Sequence, residues 1–163
     1  MKLPAWHYTT GLHWTLIRKS GALLPIPTNG APANERPVIW FSLRQAWEPT
    51  AAKGWNENGK QRLLSMQETY EKCQGFIRFG VQAEALRDFR AFVELSGIPP
   101  EHARGLKLAG KRRGADWRDW RVSFEPIPIS DCFVEVWYGT ERGWVRVQEP
   151  DAASSVPRSG PPR

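Results

Sequence analysis

Short apolar runs, set close together along the chain, constrain the fold more than any other feature of the sequence. The clearest run, residues 37–42, is bounded by a proline and polar residues and predicts a buried strand. Similar runs predict strands at residues 75–81, 120–124, 133–138 and 144–147. Helical patterns do not alternate regularly with these strands, which favours an α+β fold over a parallel βαβ array. We therefore predict a single α+β domain with a compact, twisted sheet that is mainly antiparallel or split.

Helical and irregular segments are predicted between the strands. A thin apolar face predicts a helix over residues 63–70, and the strongest helical pattern covers residues 84–95, which Gly97 and a proline follow. Residues 43–60 contain Gly, Asn and Pro and are predicted to form a long excursion that serves as a lid or pocket wall. The basic residues 104–121 are open to two interpretations, a solvated loop and a binding surface.

Composition narrows the class of protein. The chain of 163 residues suits one domain, predicted at residues 1–148, and residues 149–163 have almost nothing to bury and are predicted to be disordered. The net charge of +6 favours an anionic partner, either a nucleic acid, a nucleotide or an acidic protein. Two cysteines without metal-type spacing, no signal-peptide pattern and no long apolar run predict a cytoplasmic protein with no metal site and no membrane association.

The beginning of the chain places polar side chains where a strand meets a helix. Trp6-His7-Tyr8-Thr9-Thr10 is followed by an amphipathic helical pattern and then by Ser20-Gly21-Ala22-Leu23. A neutral imidazole can donate to or accept from a ribose hydroxyl, and it titrates near neutral pH. The other interpretation of His7 is a half-buried histidine at a strand end that binds backbone.

This order resembles the opening of the ADP-ribosyltransferase fold, in particular the DNA-modifying toxin ADP-ribosyltransferases and the RNA 2′-phosphotransferases. Val38-Ile39-Trp40-Phe41-Ser42 resembles the next core strand of that fold. The resemblance covers about the first 50 residues. It implies that the protein binds NAD and that His7 and Thr9 contact its ribose and nicotinamide. The other implied NAD-binding residues are Tyr8, Trp40, Ser42 and Trp47.

The same resemblance implies a catalytic glutamate near the start of a late strand, where it would stabilise positive charge on the ribose as nicotinamide leaves. Glu125 is the first choice and Glu135 the second, although the position that aligns with the catalytic glutamate of the family falls near residues 119–121. The other interpretation of Glu125 is a solvated strand end, and that of Glu135 is the outward residue of an edge strand. With neither glutamate in the role, the fold would bind NAD without transferase activity.

The basic stretch supports a different class of function. Cations interleaved with tryptophans suit phosphate contact combined with base stacking. The alternative to the enzyme is thus a non-catalytic nucleic-acid-binding or protein-interaction module, and a third class is a small structural protein whose tryptophans all lie in the core. The residues predicted for nucleic-acid or phosphate contact are Lys111, Arg112, Arg113, Trp117, Arg118 and Trp120.

Overall fold

A seven-stranded antiparallel sheet organises the chain. The computed structural model describes residues 3–28 and 30–147, and the predicted disordered tail lies outside them. In chain order the elements are β1 (Pro4–Thr10), α1 (Gly11–Ser20), β2 (Ala22–Leu23), β3 (Ile39–Ser42), β4 (Gly54–Glu57), β5 (Lys60–Leu63), α2 (Met66–Lys72), β6 (Phe76–Gln82), β7 (Arg87–Asp88), α3 (Phe89–Ser96), α4 (Pro100–Arg112), β8 (Trp120–Ser123), β9 (Ile127–Pro128), β10 (Phe133–Trp137) and β11 (Trp144–Val147).

The strands of the large sheet lie in the order β11-β10-β6-β1-β3-β8-β7, and β2–β9 and β4–β5 form separate pairs. Neighbouring strands run antiparallel throughout the large sheet. Together with the four α-helices of the described residues, this sheet confirms the predicted α+β fold. Of the helices in the described residues, none combines the length and apolar character that crossing a membrane requires.

The pleat of β1 divides the core into two sides. Ala5 lies in one cluster with Phe41, Phe79 and Trp14 of α1. Trp6 and Tyr8 point to the opposite face, because successive side chains alternate along a strand. On that face they pack with Phe76, Trp137 and Trp47, and farther along the sheet α3 and α4 cover β8. Aromatic side chains therefore fill both sides of the sheet around β1.

The helix predicted over residues 84–95 begins later than its apolar pattern suggests. Residues 83–85 form a single 3₁₀ turn, and Arg87–Asp88 pairs with β8. The helix α3 starts at Phe89, because the carboxylate of Asp88 accepts a hydrogen bond from the Ala91 amide at 2.9 Å and caps it. The prediction was wrong for the first five residues of this helix.

Residues 43–60, predicted to be an irregular excursion, and the basic residues 104–121, for which a loop was one of two interpretations, both contain regular structure. Within residues 43–60, a 3₁₀ turn at Pro49–Ala51 leads into the β4–β5 hairpin, whose turn places Asn58 and Gly59 at φ values of 53° and 79°. An Asn-Gly pair in this left-handed conformation is typical of a tight hairpin. The basic stretch begins inside α4, which extends to Arg112, so most of it is not a loop.

Candidate functional site

The strands β1 and β3 separate next to His7. Their register pairs only Trp6 with Ser42, and its continuation would join His7 to Phe41 and then Tyr8 to Trp40. The carbonyl oxygens of Tyr8 and Trp40 form hydrogen bonds with side chains instead. The Nδ1 atom of His7 lies 2.9 Å from the Trp40 oxygen, and Nζ of Lys53 donates to the Tyr8 oxygen at 3.2 Å. We call this region, where the backbone pairing of β1 and β3 ends and an imidazole and an ammonium group bond to the strand carbonyls, the opening between the two strands.

The imidazole of His7 has a fixed tautomer. A carbonyl oxygen only accepts hydrogen bonds, so Nδ1 carries the hydrogen that bonds to Trp40, and Nε2 keeps its lone pair. Burial lowers the pKa of His7 to about 4, with a further decrease from the Lys53 cation, while the bond to Trp40 opposes both. The ring, packed 5.7 Å from that of Phe41, is neutral at physiological pH and presents Nε2 as an acceptor.

Lys53 reaches this opening from the base of the β4–β5 hairpin. Its backbone oxygen accepts a hydrogen bond from the amide of buried Leu64 at 2.8 Å, which closes the base of the hairpin. Burial lowers the pKa of the Lys53 ammonium, and the nearby thiol of Cys73 acts in the opposite direction. A partly buried cation thus lies beside the neutral histidine.

A buried carboxylate fixes the segment that follows β3. The hydroxyl of Ser42 donates to Glu48 at 2.8 Å, and the amide and hydroxyl of Thr50 donate to the other oxygen at 3.1 and 2.6 Å. This network positions Trp47, whose ring meets that of Tyr8 edge-on at 5.3 Å. Burial raises the pKa of Tyr8 although the neighbouring Arg78 opposes the increase.

The six predicted NAD-binding residues occupy different parts of this region. His7 and Trp40 meet through one hydrogen bond, and Tyr8 contacts Trp47 on the other face of the sheet. Thr9 and Ser42 are buried, and the Ser42 hydroxyl is committed to Glu48. The indole of Trp40 donates to the Thr28 hydroxyl and packs against α3, so its backbone oxygen, not its ring, reaches the opening.

The two predicted catalytic glutamates have contrasting environments. Glu125 lies beyond β8 in an exposed ion pair with Arg36 at 2.9 Å. Glu135 is nearly buried on β10, where Nε and Nη2 of Arg78 donate to one of its oxygens at 2.9 and 2.6 Å. Arg146 lies 3.6 Å from the other oxygen. Of the two, Glu135 is the carboxylate with a fixed orientation.

The predicted nucleic-acid contacts divide into exposed cations and covered rings. Trp120 is buried against Phe89. The ring of Trp117 is covered by Lys107, with Nζ 4.0 Å from its centre, and by the guanidinium of Arg118 at 5.0 Å. Neither ring is open for base stacking. The cations that remain exposed are Lys111, Arg112, Arg113 and Arg118.

Sequence reasoning missed Lys53, Glu48 and Arg78. A single charge within the apolar run around Arg78 was a signal for a buried ion pair, and an acidic residue followed by Pro49 marks a helix start for Glu48. Lys53 has no local signal, because its partner is a distant backbone oxygen. In residues 3–28 and 30–147, no group of His, Cys, Asp and Glu side chains is arranged to hold a metal ion.

Comparison of the chain with protein-family models, with curated proteins and with solved structures gave no match. The function is therefore argued from the site itself.

Proposed function

We propose that the protein binds NAD in the opening between β1 and β3 and acts as an ADP-ribosyltransferase-like protein. One observation carries the proposal: the imidazole of His7 is neutral, its Nδ1 is held by the Trp40 carbonyl, and its Nε2 is left as an acceptor. A neutral, oriented imidazole suits a ribose hydroxyl, which can donate its proton to Nε2. Cys73 and Cys132 are not joined in a disulfide, which agrees with a cytoplasmic setting.

The transfer step requires a carboxylate, and Glu135 is the better of the two predicted residues. The glycosidic bond to nicotinamide breaks, nicotinamide leaves with the electron pair, and an acceptor bonds to the ribose carbon while releasing a proton. A fixed carboxylate stabilises the positive charge that develops on the ribose during this step. Arg78 orients the Glu135 carboxylate, whereas Glu125 is a surface ion pair.

The geometry supports binding more directly than transfer. Strand alternation directs His7 and Glu135 to opposite faces of the sheet, since Glu135 pairs with Arg78, and Arg78 with Tyr8. Binding and transfer are therefore tested separately.

Calorimetric titration with NAD tests the binding step. His7→Asn keeps a donor for the Trp40 carbonyl but removes Nε2, so we expect it to weaken NAD binding at least about tenfold, equivalent to about 1.4 kcal/mol. His13→Asn changes an exposed histidine on α1 and is the matched control. No heat of binding for the wild-type protein at millimolar NAD would overturn the proposal.

Release of nicotinamide from labelled NAD tests the transfer step, with DNA, RNA or protein added as acceptor. A catalytic role for Glu135 requires Glu135→Gln to abolish release while NAD still binds, and Glu125→Gln to leave release unchanged. Loss of release in Glu125→Gln alone would move the catalytic role to Glu125. NAD binding without release in the wild-type protein would leave a binding protein and reject the transferase.

The second candidate function is binding of nucleic acid through the exposed cations near the end of α4, namely Lys111, Arg112 and Arg113. These charges remain available for phosphate contacts. The predicted stacking of bases on Trp117 and Trp120 is not supported, because Lys107 covers the first ring and the second is buried. Their position at a helix C-terminus also suits the helix dipole without any ligand. Affinity for single-stranded DNA that falls steeply with salt, and falls further in a triple alanine variant, would support this function.

A further inference from the structure

We infer that Lys53 is the binding residue for a phosphate group of the nucleotide in the opening between β1 and β3. The inference deepens the proposed function and rests on it for the identity of the dinucleotide. It assigns an anionic group of the ligand to a side chain for which the sequence contains no motif.

The first support is the unbalanced charge of Lys53. Its ammonium group has three donors, and one of them bonds to the Tyr8 carbonyl at 3.2 Å. None of the ion pairs found within residues 3–28 and 30–147 joins Lys53 to a carboxylate. A partly buried cation without a counter-charge is costly, and an anionic ligand would supply that charge.

The second support is the set of neighbours that face Lys53. The imidazole of His7 and the thiol of Cys73 both lie close to Lys53. The charge of Lys53 lowers the pKa of His7, and Cys73 acts to raise the pKa of Lys53. Burial lowers the pKa of this lysine and raises that of the Cys73 thiol, which keeps the thiol protonated and unable to neutralise the cation. Within the described part of the chain, neither of these two neighbours supplies a negative charge to Lys53.

The third support is the way the fold presents the side chain. The hydrogen bond between Leu64 and the Lys53 backbone fixes the residue at the base of the β4–β5 hairpin, while the rest of that hairpin is largely exposed. Lys53 thereby lies at the same opening as the neutral His7, which suits a ligand with a ribose beside a phosphate. The two residues would then recognise adjacent parts of one nucleotide.

Calorimetry with three ligands tests the inference: NAD, nicotinamide riboside, which lacks phosphate, and ADP, which lacks the nicotinamide ribose. We expect Lys53→Met to weaken NAD and ADP binding at least about tenfold and to leave riboside binding within about twofold. Lys53→Arg should keep most of the affinity for NAD, because it retains the charge. Lys60→Met, on the exposed strand β5, is the matched control and should change nothing.

The results separate this inference from the proposed function. Equal losses for NAD and the riboside in Lys53→Met, or no loss for either, would overturn the phosphate role while NAD binding stands. Binding of ADP that depends on Lys53, in a protein that does not bind the riboside, would support the phosphate role and overturn the proposed nicotinamide–ribose site. Circular dichroism and the thermal midpoint establish that each variant is folded.

Discussion

Acidification is expected to destabilise the protein through His7. The matched perturbation is His7→Asn, whose amide can still donate to the Trp40 carbonyl at the position of Nδ1 but does not titrate. In the wild-type protein, a proton added to the imidazole at Nε2 places a second positive charge beside Lys53 in a site with little solvent. The two proteins should therefore respond differently to pH.

The size and sign of the effect follow from the pKa of His7, which folding lowers from 6.5 to about 4. The unfolded chain binds this proton more tightly, so the stability associated with the neutral ring is fully present above about pH 6.5. It is lost progressively as the pH falls from about 6.5 to about 4. At ~1.36 kcal/mol per pH unit the complete loss is about 3.4 kcal/mol, and about 2 kcal/mol is lost by about pH 5.

Urea denaturation at a series of pH values from about 7.5 to about 4.5 measures the effect. The wild-type protein should lose about 2 kcal/mol more than His7→Asn between about pH 7.5 and pH 5. Carboxylates whose pKa folding lowers, such as that of Glu68, titrate in both proteins and cancel in the difference. Parallel curves for the two proteins would refute a neutral, buried imidazole.

Further substitutions test the packing, the helix α4 and the buried ion pair by urea denaturation. An added Cβ at Gly80 would lie 2.6 Å from a ring carbon of Trp6, so Gly80→Ala should cost about 1–3 kcal/mol, and an unchanged midpoint would contradict this close contact. At Gly105, an exposed helical position with nothing within 4 Å of the added Cβ, alanine should instead raise the stability by about 0.5–1 kcal/mol. Arg78→Met removes both donors from one oxygen of Glu135 and should lower the free energy of unfolding by about 3–5 kcal/mol. Adding Glu135→Gln to this variant should restore part of the loss, and additive losses would contradict coupling between the two side chains.

Local sequence signals predict most of the sheet. The apolar runs identify β3, β6, β8, β10 and β11 to within about two residues, because a buried strand face requires apolar side chains at alternate positions and a strand buried on both faces requires them throughout. The polar hairpin β4–β5 was not predicted because its exposed strands lack an apolar run, although its Asn-Gly turn is a local signal. In the same way, Asp88 marks the start of α3 more reliably than the apolar stripe that precedes it.

The site depends on contacts that no local pattern contains. His7 reaches the Trp40 carbonyl across 33 residues, Lys53 reaches the Tyr8 carbonyl across 45, and Arg78 meets Glu135 across 57. The types of these residues are visible in the sequence, but their protonation and partners depend on burial. Sequence reasoning identified His7 as a candidate, and it had no means of selecting Lys53.

The sequence by itself determined where the chain can pack and where it must turn. Gly21 ends α1 in a left-handed conformation with a φ of 70°, and the short apolar runs predicted strands of a mainly antiparallel or split sheet. Only the tertiary structure decided that β1 and β3 separate after Trp6, and that the neutral imidazole of His7 and the ammonium of Lys53 bond to the carbonyl oxygens there. The physical reason is that hydrophobic periodicity acts over neighbouring residues, whereas desolvation and hydrogen bonding act between whichever groups the finished fold brings together.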